Sequence, residues 1–215
     1  MMASTDWRLV SRNVAMGGGT VSLAVGAGSL GSVTNNNDGT YTATLTSSTV
    51  AQSVTVTGQL DGSGLTSSAP VTYAPGAAAK LGFGVQPPAS ATAGQTLAPS
   101  LTVRVLDAND NLVTGSSASV AVALGSNPGS STLSGTKTRN ASGGVATFDD
   151  LSLNKAATGY TIAATSGALT GTTSSSFDIT PDVASTIAVN AGDANGVQRV
   201  AMGEITADAM ATMAT

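Results

Sequence analysis

Two residue types are missing from the 215-residue sequence altogether, cysteine and histidine. Without cysteine no disulfide can staple the fold and no thiol chemistry is available. Without histidine the commonest general base and the commonest transition-metal ligand are gone. These two absences exclude most catalytic classes, and the expectation is a protein that is not an enzyme. Charge is scarce as well: 9% of residues are ionic and the net charge is -4. That excludes the basic footprint a nucleic-acid partner demands. No apolar run approaches the roughly 20 residues needed to cross a bilayer as a helix. The N-terminal MMASTDWRLVSRNV lacks the apolar centre of a secretory signal.

What remains is largely Ala, Gly, Ser, Thr and Val. Thr and Val favour strands, and Gly with Asn-Asp clusters favours turns. The clearest stretch is 101–113, LTVRVLDANDNLV. Leu101, Val103 and Val105 alternate with Thr102 and Arg104, the period of a strand with one buried face. The following Asp107-Ala108-Asn109-Asp110-Asn111 reads as a tight turn, because Asx side chains bond nearby backbone and tolerate left-handed conformations.

The rest of the chain can be laid out around it. Alternation begins at Thr20, with strands expected around Val21–Val25, Tyr41–Leu45, Val54–Val56 and Val71–Tyr73. Turns are expected at Asn35–Gly39 and Asp61–Gly64. After Pro75–Ala79, read as a linker, seven strands are expected. They lie at Leu81–Val85, Leu101–Val105, Val120–Leu124, around Leu133, at Val145–Phe148, Tyr160–Ala164 and Phe177–Ile179. Such a series of short strands separated by turn signals suits an immunoglobulin-like sandwich. Tyr160 is placed to cap the preceding connection with its hydroxyl, as a tyrosine corner does.

The pattern repeats. Pro75 and Pro181 are 106 residues apart, and at that spacing Leu45 meets Leu151, Val54 Tyr160, Val56 Ile162, Val71 Phe177 and Tyr73 Ile179. A period this long means tandem domains rather than solenoid turns. The expected fold class is therefore all-β: tandem immunoglobulin-like β-sandwiches, one complete module flanked by partial ones. The expected domains are an irregular segment over 1–19, a partial module lacking its front strands over 20–74, a complete module over 75–180, and the start of a third module with an irregular tail over 181–215. All six methionines lie near the ends, none between Met16 and Met202, so both ends are expected to pack poorly.

The runs LTVRVLDANDNLVTG, VAVALGSNPGSSTLSG and GGVATFDDLSLNKAATGYTIAATSGALTGTTSSSFDIT resemble bacterial immunoglobulin-like repeats of large surface proteins. Val21 to Tyr73, with NNNDGTYTATLTSS inside, is similar to the invasin and intimin type. The resemblance spans about Thr20 to Asn190. It implies a non-catalytic spacer stalk or adhesive region of a cell-surface or secreted bacterial protein, located outside the cell. The partners it implies are neighbouring repeats and, in some members, a host receptor or glycan. Asp110 departs from the pattern, since such repeats more often have Gly there. A second class of function, an accessory glycan-binding module of a secreted enzyme, calls for exposed aromatic rings that stack on sugar. Only 3% of residues are aromatic, and most fall on the inward alternation.

Asp107, Asn109, Asp110 and Asn111 spell D-x-N-D-N, and oxygens at such spacing are what a Ca²⁺ ion takes. Turn chemistry explains the same letters without an ion, and no other cofactor is expected. Asp149-Asp150 is a paired carboxylate expected at a strand end, where adjacent side chains point to opposite faces and cannot act on one substrate. Gly17–Gly19 precedes a strand rather than a helix, so it is no phosphate loop. Asn140-Ala141-Ser142 fits an N-glycosylation sequon that matters only in a eukaryotic secretory route.

Overall fold

The computed structural model describes residues 5–10 and 19–182, and every regular element among them is a strand. A first group comprises β1 (Thr5–Val10), β2 (Val21–Val25), β3 (Ser29–Leu30), β4 (Thr34–Asn35), β5 (Thr40–Thr46), β6 (Gln52–Leu60), β7 (Ser63–Gly64) and β8 (Ala69–Tyr73). A second begins with β9 (Lys80–Val85), β10 (Ser90–Thr92), β11 (Leu101–Leu106), β12 (Ser119–Leu124), β13 (Leu133–Ser134) and β14 (Thr138–Asn140). It continues with β15 (Val145–Phe148), β16 (Ser152–Leu153), β17 (Ala157–Tyr160), β18 (Ile162–Ser166), β19 (Leu169–Thr173) and β20 (Phe177–Thr180). Among the described residues no strand of the first group belongs to a sheet of the second.

In the first unit β5 pairs with β1, β3 and β4, and β6 pairs with β2, β7 and β8, giving two sheets. In the second, one path runs β14-β12-β18-β19-β9-β11-β15, beside a three-stranded sheet β10-β20-β17 and a short pair β13-β16. The link between the two halves of that path is narrow: β19 meets β9 in parallel at Thr170 and Lys80 alone. Both halves supply one core, since Val103 and Val105 from β11 share a cluster with Val120 and Val122 from β12 and Ile162 from β18.

The alternation read in β11 is the alternation found. Leu101, Val103 and Val105 are fully buried and Arg104 is exposed. Of the side chains expected inside, Val122, Ile162 and Phe177 are buried too, and Leu124 is half-buried against the core. Strand number differs from expectation because two- and three-residue ladders such as Ser29–Leu30, Ser63–Gly64 and Ser90–Thr92 are too short to show a period. Tyr160 closes β17 instead of opening the next strand, which begins at Ile162.

The 106-residue spacing reappears in the hydrogen-bonded register. Val54 lies opposite Val71, and Tyr160 opposite Phe177, each member displaced by 106 residues. Leu60 lies opposite Ser63, and Ser166 opposite Leu169, displaced by the same 106. Upstream the offset changes: Val25 faces Val56 and Leu124 faces Ile162, a displacement of 99 for the earlier strand and 106 for the later one. The intervening connection of the second unit is seven residues longer.

The expectation of an irregular segment over 1–19 is corrected at its first half. Thr5–Val10 form a strand antiparallel to β5, with Trp7 opposite Ala43 and Arg8 opposite Thr42. The pairing repeats that of β11 with β15, where Val103 lies opposite Ala146 and Arg104 opposite Val145. So the first unit does not lack all its front strands; β1 stands where β11 stands. Trp7 and Leu9 alternate with Asp6 and Arg8, a period of two too brief to stand out until β5 completes the ladder. The expectations for 181–215, the start of a third module and poor packing from Met202 to Thr215, fall outside the described residues from 183 onward.

Candidate functional site at the turn after the central strand

The turn that leaves β11 is tight because Asp107 organises it. Its Oδ1 accepts the backbone N–H groups of Asn109 at 2.8 Å and Asn111 at 2.9 Å. The Asp107 N–H donates to the Asn111 carbonyl at 2.9 Å. Asp110 takes a left-handed conformation, φ +67°. Short polar side chains tolerate this region.

Asp107 is also 1% exposed, and burying a carboxylate is costly unless it is hydrogen-bonded. Its second oxygen, Oδ2, accepts Asn111 Nδ2 at 2.9 Å and the Gly76 N–H at 2.7 Å. The Asn111 amide does most to hold the carboxyl down, at about 2; the Gly76, Asn111 and Asn109 N–H groups add to this, and burial works against it. Gly76 lies in the stretch joining β8 to β9, so the turn grips the linker.

The turn reaches further back. Asn111 Nδ2 donates to the Thr49 carbonyl at 2.8 Å, and Asn111 Oδ1 accepts the Ala51 N–H at 2.8 Å. Thr49 and Ala51 belong to the β5–β6 loop of the first unit. Three segments far apart in sequence thus meet at one carboxylate and one amide.

The four residues read as D-x-N-D-N are divided by the structure. Asp107 and Asn111 come together, with the amide N–H of Asn111 turned to the carboxylate. Asp110 faces outward to Lys80, Nζ to Oδ1 2.9 Å, and Asn109 is exposed. Both oxygens of Asp107 are occupied by N–H donors, which favours turn chemistry over a cation at this place. Among the described residues no group of three or more His, Cys, Asp or Glu side chains is placed to hold a metal.

The Asp149-Asp150 pair behaves differently from expectation. β15 ends at Phe148, so strand alternation does not apply beyond it, and both carboxylates reach one guanidinium. Arg139 Nη2 lies 2.6 Å from Asp149 Oδ1 and 3.4 Å from Asp150 Oδ2. Asp150 also accepts the Thr136 hydroxyl at 2.6 Å. That bond, with the Thr136 N–H and Arg139 adding to it against some desolvation, lowers its carboxyl below the usual range. In this ion-pair cluster Asp149 is exposed while Arg139 and Asp150 are half-buried.

The tyrosine corner is present. The Tyr160 hydroxyl donates to the Lys155 carbonyl at 2.8 Å, and the ring is fully buried. A Cβ at Gly129 would collide with that hydroxyl, so glycine is what lets the corner close. What sequence reasoning missed is the long reach of Asn111. The 106-residue repeat was the available signal, since it aligns Val54 with Tyr160 and so leaves the first unit without a corner hydroxyl.

With this geometry in hand, the chain can be set beside known proteins. No curated protein matches it. Among solved structures, InvD of Yersinia pseudotuberculosis is similar at 24% identity and TM-score 0.49, over 91% of this chain and 61% of that one. FdeC, an Escherichia coli adhesin, is similar at 23% identity and TM-score 0.42, over 82% of this chain and 59% of that one. A glycosyl hydrolase family 2 member from Bacteroides cellulosilyticus matches at 14% identity and TM-score 0.43, over 74% of this chain and 21% of that one. The chain therefore spans less than two thirds of the length of these structures. The family model for invasin, domain 3, matches residues 10–76, the segment that holds β2 to β8 and the start of the linker. Residues 10–76 are thus similar to domain 3 of invasin.

Proposed function

We propose that this chain is part of a non-catalytic stalk, in which immunoglobulin-like modules follow one another and hold other parts of a bacterial surface or secreted protein away from the cell. The modules run over 20–74, completed by β1, and over 75–180, with a third starting near 181. The observation that carries this reading is the 106-residue repeat of strand register, joined across its linker by the hydrogen bonds of Asp107 and Asn111. Repeats that dock on one another through buried polar groups suit extension better than catalysis. An adhesive role for the array accords with the invasin-type module in its first half.

Aromatic placement favours this over a glycan-binding module. Tyr41, Tyr73, Phe148, Tyr160 and Phe177 are buried and Phe83 is half-buried, so none of these six rings is presented flat to a sugar. The stalk is tested by small-angle scattering from chains with increasing numbers of the 106-residue repeat. The maximum dimension should grow by one module length per repeat. A dimension that stays nearly constant as repeats are added would refute the stalk.

A further inference from the structure

The repeat sets residue against residue, and one comparison is uneven. In the second unit the Lys155 carbonyl accepts the Tyr160 hydroxyl at 2.8 Å. The corresponding residues of the first unit, 106 positions earlier, are Thr49 and Val54, and valine has no hydroxyl to donate. The Thr49 carbonyl is nevertheless capped. Asn111 Nδ2, from the following unit, donates to it at 2.8 Å. We infer that Asn111 is an intermodular cap, which replaces the tyrosine corner missing from the first unit and so fixes the angle between the two units. Its purpose in a stalk rests on the reading above; its geometry does not.

The amide is aimed rather than free to rotate. Asp107 Oδ2 receives Asn111 Nδ2 at 2.9 Å, so the amide oxygen is turned toward the Ala51 N–H, which it accepts at 2.8 Å. Asp107 is in turn tied to the linker through Gly76 at 2.7 Å. Lost freedom at the joint is thereby shared among the first unit's loop, the linker and the second unit's turn. Relative motion is the ordinary state of two linked domains unless their contact opposes it, and here a buried, fully paired amide does so. The same comparison gives a rule for other repeats. A module with tyrosine at the place of Tyr160 caps its own loop. A module with an aliphatic residue at that place is clasped by its successor.

The absence of cysteine makes the test clean. Ser22→Cys and Lys137→Cys, one exposed site on each unit, carry spin labels whose separation is measured by pulsed electron resonance in the full chain. The parent should give a narrow distance distribution. Asn111→Ala should widen it about twofold or more, as expected of domains freed to move. Amide exchange at Ala51 should also quicken about tenfold or more as its acceptor is removed. Adding Val54→Tyr to Asn111→Ala should restore the melting temperature of the first unit by giving it its own corner, while the distribution stays wide. An Asn111→Ala distribution as narrow as the parent's, with Ala51 exchange unchanged, would overturn the inference. So would a parent distribution that is already wide, or one narrowed by Val54→Tyr. None of these outcomes alters how particle length scales with repeat number, which judges the stalk separately.

Discussion

Tyr41, Tyr73 and Tyr160 share one habit: each buried ring sends its hydroxyl to a backbone carbonyl, Gly19 at 3.0 Å, Ala27 at 3.0 Å and Lys155 at 2.8 Å. A buried hydroxyl costs free energy unless it is bonded, and so does the carbonyl it would leave behind. Tyr160→Phe should therefore lower the stability of the second unit by about 1–2 kcal/mol, read as a shift in denaturant midpoint at unchanged slope. Gly129→Ala should be at least as damaging, because the added methyl displaces the hydroxyl from its acceptor. Asp107 makes a pH-dependent prediction. Its carboxyl is held at about 2 in the folded chain against an ordinary value of 3.8, so the unfolded chain binds the proton more readily. The stabilisation is whole above the ordinary value and is lost as pH falls through the folded one. Unfolding followed by circular dichroism should show stability declining between about pH 4 and pH 2. Asp107→Asn should flatten part of that decline, the rest belonging to groups such as Asp150, lowered in the same direction.

At the scale of elements, β11 is the middle strand of one half of the second unit's long path, pairing β9 on one side and β15 on the other. Leu101 lies at its start with no exposed surface, so Leu101→Ala should cost about 2–5 kcal/mol by creating a cavity. A loss below about 1 kcal/mol would show that the neighbouring side chains collapse into the space. β11 was also the most legible element in the sequence, because three apolar side chains at period two, ended by an Asx turn, match few structures other than a half-buried strand. β1 carries the same alternation over Asp6 to Leu9 but needed its partner to be recognised. The tyrosine corner could be read because a hydroxyl and its acceptor lie only five residues apart. The junction could not be read in that way: Asn111 meets Ala51 across 60 residues and Thr49 across 62, and asparagine in an Asx turn already has a local explanation. The Asp149-Asp150 pair was misjudged because the strand stops one residue sooner than the alternation argument assumed.

For the whole molecule, the parallel pairing of β10 with β20 matters once the chain is pulled. Ser90, Ala91 and Thr92 lie beside Asp178, Ile179 and Thr180, near the two ends of the second unit's fold. The Asp178 N–H donates to the Ala89 carbonyl at 3.0 Å, and the Ala93 N–H to the Thr180 carbonyl at 2.9 Å. A chain pulled from its two ends is loaded along its length, and drawing these strands apart slides them past one another. Bonds strained sideways must yield together, whereas a hairpin opened from its end yields one bond at a time. Forced rupture is governed by the unfolding barrier rather than by equilibrium stability. Single-molecule pulling should accordingly find the second unit mechanically tougher than its melting temperature suggests. Ala91→Pro, which also crowds the strand, should weaken it more under force than in denaturant. A molecule with no cysteine to form a disulfide that stops its extension would then owe its resistance to pulling to the direction in which two short strands happen to run.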